Sequence, residues 1–330
     1  MRCRLVGSEM CIRDSNDAAL KKRVNAGEIY FGTVDCWLLY KLTGGIQFCT
    51  DHTNAHRTLL FNVHTLVWDR DILQLWGLEQ LRLPEVLPSS SSFGRSTFEG
   101  LFPDGLEISA MIGDSHAAAF GEGCFEPGAG KATLGTGSSI MMNIGDQPLA
   151  SNNGMLTTIC WSTPHRVDYA LEGAIVASGS TLEWLKKELQ LFEDPKDTEQ
   201  MALAVPDNAG VYLIPAFSGL GAPHWQMNRR ASLEGMTFGT TRNHIVRAAL
   251  ESIPYQIKDV MVVMEQDMNK PLHELSINGG IANNQFVVRF LVDLLGIALK
   301  KRKNADVSAL GAAYLAGLQA GVFTDIDQLV

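Results

Sequence analysis

The chain has 330 residues, enough for about two domains of ~150 residues each and a substantial core. Its composition, 46% apolar and 19% charged with 31 glycines, is that of a globular protein, and the absence of an 18-residue apolar run argues against a transmembrane helix. A formal charge of −9 argues against a nucleic-acid surface, while leaving room for a small anion held by backbone N–H groups, a helix N-terminus or a bound metal.

Six cysteines, at 3, 11, 36, 49, 124 and 160, form no C-x-x-C pair, which points to a reducing cytoplasm and no structural zinc. Residues 1–15, "MRCRLVGSEMCIRDS", lack the apolar core of a signal peptide and read as a translated adapter, so they are set aside as a non-native scar.

From Asp17 onward the text is protein-like. "DAALKKRVNAGE" predicts a helix, and "TVDCWLLYKLTGG" a second one that starts at Thr33 and stops at Gly44-Gly45. "DRDILQLWG" is a short third. "LPEVLPSSSSFGRS" (83–96) has the Pro/Ser content of a surface connection, and "LEISAMIG" reads as a buried strand running into Asp114. Beyond 123 strands and longer helices alternate. "KATLG" and "SSIMMNIG" form a hairpin about a glycine turn, "TTICWS" and "VDYALEG" extend its sheet, and "GVYLIPAFSG" adds another strand. Helices are expected at 180–190, 243–268, 284–295 and 307–320. The third carries an apolar stripe of Phe286, Val287, Phe290, Leu291, Leu294 and Leu295, and Pro254 should kink the second. The alternation predicts an α/β fold whose halves meet across a cleft.

Three stretches have residues suited to chemistry. In "LGTGSS", Gly135 and Gly137 permit positive φ, which would turn several N–H groups outward beside the Thr136 hydroxyl, a phosphate-binding arrangement. An ordinary Gly-rich turn is the competing reading. "INGGIANNQF" is a strand-to-helix turn in which Gly279 and Gly280 admit a ligand close to the backbone and Asn283 or Asn284 caps the helix. It lacks the G-x-G-x-x-G fingerprint, so a dinucleotide-binding dehydrogenase is disfavoured. Asp114 is an isolated acid that could take a proton from a hydroxyl, or merely cap the helix after it; Ser115 could fill the cap instead. His116 reads as a packed histidine, and Lys300-Lys301-Arg302-Lys303 as a solvated strand end.

Taken together the segments resemble the FGGY carbohydrate kinases, most of all their glycerol kinase branch. "ASLEGMTFGTTRNHIVRAALE" (231–251) fits that family's second signature, and "FGTVDCWLLYKLTGG", "DHTNAHRTLLFNVHTLVWD", "FSGLGAPHW" and "SALGAAYLAGL" follow in family order. The resemblance implies an actin/Hsp70/hexokinase-like ATPase fold, with 16–123 belonging to the N-terminal substrate domain and 124–330 to the C-terminal nucleotide domain. It implies ATP and Mg²⁺, a polyol or sugar as substrate, and no nucleic-acid or membrane partner; a homodimer is an expectation for the complete protein. Asp114 matches the family's general base. Gly135, Thr136 and Gly137 match the phosphate hairpin, Gly179 a nucleotide-binding glycine, and Gly280 and Asn284 the adenosine side. Glu183 stands where glycerol kinases have a nucleotide-contacting Gln. Ser115 stands where they have Gln, and Ser139 where they have an aromatic on the glycerol carbons, so a roomier, more polar substrate pocket is implied. The family's first phosphate loop is not found ahead of residue 16, so the first domain reads as incomplete and the fragment as inactive alone. A nucleotide-binding module of the Hsp70/actin type without sugar kinase activity is the reading from another class.

Overall fold

The computed structural model describes residues 17–301 and 306–329, so the adapter-like segment, Arg302 and Lys303 lie outside the described residues. Helix α1 (Ala18–Asn25) begins where the Asp17 carboxylate accepts the N–H groups of Ala19 and Leu20, each at 3.0 Å. Helix α2 (Val34–Leu42) starts after Thr33 and ends before Gly44 and Gly45, whose φ of 65° and 86° only glycine adopts freely. Strand β1 (Cys49–Asp51) leads into the one-turn helix α3 (His52–Ala55), and α4 (Arg70–Leu75) is capped by Asp69. Strand β2 (Glu85–Leu87) pairs in parallel with β1.

The segment after β2 is not the surface connection its Pro/Ser content suggests. Ser89 and Phe93 are fully buried and Ser90 nearly so. The serines are internal because their hydroxyls find partners: Ser89 Oγ donates to Asp51 at 2.6 Å and Ser90 Oγ to the Leu315 carbonyl at 2.9 Å. The expected strand before Asp114 is also reduced. Only Leu106–Glu107 forms a ladder, with Arg95–Ser96, and both Leu106 and Glu107 are exposed. Farther on, Phe93 N–H donates to the Ile108 carbonyl and Met111 N–H to Ser89, which steers the chain into α5 (Asp114–Gly121).

The strands beyond form a six-stranded mixed sheet. Its members are β3 (Ala129–Leu134), β4 (Ser138–Gly145), β5 (Leu156–Thr163), β6 (Arg166–Ile175), and two that arrive later in the chain. Helices α6 (Gly179–Lys187) and α7 (Asp197–Leu203) follow, the second unforeseen in sequence. Strand β7 (Tyr212–Ile214) does not join the main sheet; it pairs only with β8 (Ser232–Glu234) as a separate ribbon. Helix α8 (Arg242–Met268) runs unbroken past Pro254 and opens with a Thr241–His244 capping box. Strand β9 (Glu274–Asn278), helix α9 (Gln285–Leu295), β10 (Leu299–Lys300) and α10 (Val307–Gln319) complete the order. Across the sheet the order is β10-β9-β3-β4-β6-β5, with β9 parallel to both β10 and β3 and the other pairs antiparallel.

Strand alternation divides the apolar residues between two layers. Ala132, Leu134, Ile140 and Met142 pack with Ile253, Ile257 and Val260 of α8 and with Phe286, Val287 and Leu291 of the α9 stripe. Met141, Cys160 and Trp161 point the other way, onto Phe120 of α5 and Leu315 of α10. Those two helices cross almost backbone to backbone. A Cβ on Gly311 would lie 1.9 Å from the Ala117 carbonyl oxygen, and one on Gly121 2.2 Å from that of Val307. That close crossing explains the glycine of "SALGAAYLAGL" and fixes the helix that carries Asp114.

Candidate functional site

Asp114 lies in the first turn of α5, exposed, its Oδ1 accepting the Ser115 N–H at 2.6 Å. The N-cap is Gly113, not Ser115. Gly113 N–H donates to Thr53 Oγ1 at 2.9 Å, and that hydroxyl donates to Asp51 at 2.8 Å. Asp51, wholly buried, also accepts from Ser89 Oγ, from the Thr53 and Asn54 N–H groups and from Asn54 Nδ2. Burial pushes its pKa up to about 6, against these hydrogen bonds, which favour the ionised form. The "DHTN" segment therefore works at a distance: it anchors the residue from which the Asp114 helix starts.

The glycine hairpin joins β3 to β4. Neither Gly135 nor Gly137 has positive φ, contrary to the sequence expectation. Glycine is required at 137 for another reason: a Cβ there would sit 2.6 Å from the Ile175 carbonyl oxygen. The Gly135 carbonyl accepts the Gly179 N–H at 2.9 Å, and that of Thr136 accepts the Ser178 and Ser180 N–H groups, each at 3.0 Å. Gly179 thus spends its own N–H on holding the turn. It must lack a side chain because a Cβ would be 2.7 Å from Gly135 O. The N–H groups of Thr136 and Gly137 have no protein acceptor among the described residues, so the turn offers two free donors to an anion.

Beside the hairpin opens a pocket of about 380 Å³, whose lining brings together Gly135, Thr136, Gly179, Glu183, Gly280 and Asn284. Six positions from three segments far apart in sequence therefore line one pocket. Gly137, Asp114, Ser115 and Ser139 are not among the residues lining it. Glu183 pairs with Lys187 at 3.1 Å, an exposed i,i+4 pair of little energetic weight. Asn284 caps α9 by accepting the Val287 N–H at 3.2 Å, and its amide donates to Thr198 Oγ1 at 3.2 Å. Gly279, at φ 93°, brings its backbone against Leu134, where a Cβ would lie 2.4 Å from the carbonyl oxygen. The sequence reading missed Leu182, Pro195, Thr198 and Ile281 on the same wall. Thr198 and Pro195 belong to the region of α7, which has no hydrophobic stripe long enough to announce it.

A polar layer, buried except at Arg57, lies between α3, α5 and the sheet. Arg57 reaches Glu172 of β6 at 2.6 Å and donates to His116 Nε2 at 3.2 Å; His56 Nε2 lies 2.6 Å from Thr158 Oγ1. Burial holds His52 down to about 4, His56 to about 3, and His116 well below the usual imidazole range. All three are neutral at pH 7, and His116 is the packed histidine that the sequence suggested. Lys131 of β3 is fully buried; burial lowers its pKa, while the charges of Glu172 and Asp114 act in the opposite sense.

The sheet with helices on both faces, and a glycine hairpin opening on a pocket, make a layered α/β fold of the actin/Hsp70/hexokinase type. The chain superimposes on a glycerol kinase from Plasmodium falciparum, solved with ADP, at a TM-score of 0.90 with 35% identity, covering 97% of this chain and 64% of that one. A xylulose kinase from Lactobacillus acidophilus shares the fold at a TM-score of 0.80 and 22% identity, over 89% of this chain and 60% of that one. Among curated proteins, glycerol kinases of Pseudomonas putida and Carboxydothermus hydrogenoformans are 46% and 44% identical over 318 and 315 residues, in each case 96% of this chain. Residues 14–121 match the N-terminal domain, and 130–320 the C-terminal domain, of the FGGY family of carbohydrate kinases; the chain belongs to that family. It spans 62% and 63% of the length of those two curated relatives.

Proposed function

We propose that the protein phosphorylates a hydroxyl of a polyol with ATP. The observation that supports this best is the gathering of Gly135, Thr136, Gly179, Glu183, Gly280 and Asn284 around one pocket, with two unpartnered hairpin N–H groups beside it. The pocket would take the adenosine, and the Thr136 and Gly137 N–H groups the phosphates. Asp114 would accept the proton of the substrate hydroxyl as its oxygen bonds to the γ-phosphorus and the bond to ADP breaks. Phosphoryl transfer depends mainly on such positioning and on charge neutralisation.

Among the described residues no cluster of three or more His, Cys, Asp or Glu side chains could hold a metal by itself. Mg²⁺ would arrive on the nucleotide phosphates and take one or two carboxylates from the protein, the usual mode for this ion, where it would supply positive charge to the phosphates. Asp114, exposed in the first turn of α5, would be one of them.

The relatives named glycerol kinase make glycerol the first substrate to test. Ser115 and Ser139, small and polar, add four- and five-carbon polyols. A coupled ADP-release assay on the product of the complete coding sequence, with this panel, tests the reading. Asp114→Asn should lower kcat by ~10²-fold or more while leaving ATP affinity nearly intact. Wild-type turnover in that variant would remove Asp114 as base. ATP binding without transfer to any polyol or sugar would instead favour the Hsp70/actin-type module.

A further inference from the structure

Lys131 is among the largest fully buried side chains of the chain, yet no carboxylate lies within ion-pair distance of it among the described residues. Its ammonium donates to two hydroxyls, Thr133 Oγ1 at 3.2 Å and Ser139 Oγ at 3.3 Å. Thr133 and Ser139 are cross-strand partners, two residues before Gly135 and two after Gly137. Glu172, on the same sheet face through the register Glu172↔Met141 and Met141↔Lys131, is already taken by Arg57 at 2.6 Å. A buried ammonium hydrogen-bonded only to neutral oxygens is costly even with the charges of Glu172 and Asp114 acting on it, and that cost is repaid further where another anion comes to share its field.

We propose that Lys131 is a positioning residue for the nucleotide phosphates. It ties the two strands together at the base of the glycine hairpin, so that the Thr136 and Gly137 N–H groups are held towards a common anion, and its charge sits behind them. This rests on the nucleotide reading of the pocket, and it extends that reading to a residue with no place on the pocket wall. On that reading the adenosine contacts would be Glu183, Gly280 and Asn284, so loss of Lys131 would separate phosphate recognition from adenosine recognition.

The test is calorimetric titration of the complete protein with ATP and, separately, adenosine. Lys131→Met, which keeps volume and removes the charge, should weaken ATP by about tenfold, a loss of charge-assisted hydrogen bonding, and change adenosine by less than about twofold. Lys131→Arg should recover most of the ATP affinity. The pair Thr133→Val with Ser139→Ala, which leaves the lysine in place but removes its acceptors, should show the same ATP-selective loss at about threefold. Should the methionine variant not fold, this pair decides alone. Equal weakening of ATP and adenosine, as general loosening would produce, or no weakening of either, overturns the inference. If the wild type binds both ligands but phosphorylates no polyol, the proposed reaction falls, while the ATP-to-adenosine ratio still judges Lys131.

Discussion

Gly311→Ala puts a methyl group into the crossing of α10 with α5. Its Cβ would lie 1.9 Å from the Ala117 carbonyl oxygen and 2.7 Å from the carbonyl carbon, both backbone atoms that no rotamer change can move. An ordinary contact begins at 3.4 Å, so the helices must part by about 1.5 Å in a densely packed layer. Overpacking of this kind costs about 1–3 kcal/mol, and in a chain of this size each kcal/mol lowers Tm by roughly 1–2 °C. Function should suffer more than stability. Asp114 sits in the first turn of α5, and its carbonyl accepts from Ser308 Oγ of α10 at 3.0 Å, so the crossing locates the proposed base. A misplacement of about 1 Å can lower turnover by ~10²-fold. Thermal melting of this chain gives the first quantity, and polyol phosphorylation by the complete protein the second. Gly239→Ala is the control: it is exposed, without positive φ, and its nearest neighbour is Thr237 Oγ1 at 3.6 Å, so its cost should stay within about 0.5 kcal/mol. A Gly311→Ala protein that melts with the parent and turns over at the parental rate would refute the idea that this crossing sets the position of Asp114.

Gly280→Ala should behave in the opposite way. Nothing lies within 4 Å of the added Cβ because the glycine borders the pocket, so Tm should be unchanged while ATP and adenosine both weaken by about tenfold; unchanged affinity would place the nucleotide elsewhere. Acid should destabilise the chain through its buried histidines. Their folded pKa values, about 4 for His52 and 3 for His56, lie below the unfolded value of 6.5, so stability is full above pH 6.5 and is lost towards the folded values at about 1.4 kcal/mol per pH unit each. Asp51 works against them. Its folded value of about 6 exceeds the unfolded 3.8, so its contribution is full below 3.8 and lost as pH rises through 6. Between pH 6 and 4 it cancels one histidine, leaving a net loss of about 1.4 kcal/mol per pH unit from these three groups. His116 adds to the loss in the histidine sense. Urea midpoints at pH 7, 6 and 5 measure this slope, and His56→Gln should flatten it by about one proton; an unaltered slope would contradict the assignment.

Local chemistry was enough to locate most elements. Helices announce themselves by caps and periodicity, as Asp17 and the α9 stripe do, and the β3–β4 hairpin by two apolar runs about a glycine turn. The pocket glycines were legible too, because a strand-to-helix turn with Gly279 and Gly280 is a local feature. Their reasons were not. Gly137 and Gly179 are glycine because other backbone segments, at Ile175 and Gly135, press on them, and only the assembled sheet brings those carbonyls near. Ser89 and Phe93 sit in a stretch whose composition favours solvent, but Asp51, 38 residues before Ser89, gives that hydroxyl a buried partner. Thr198 and Pro195 became pocket residues only when α7 packed beside α9. Lys131, an unremarkable lysine in "GKATLG", gained its place from strand register, which set Thr133 and Ser139 around its ammonium and left Glu172 to Arg57. Propensity and turn chemistry act over a few residues and can be read along the chain. Burial, steric exclusion by backbone and the pairing of charges depend on which distant segments meet, and that is decided only in three dimensions.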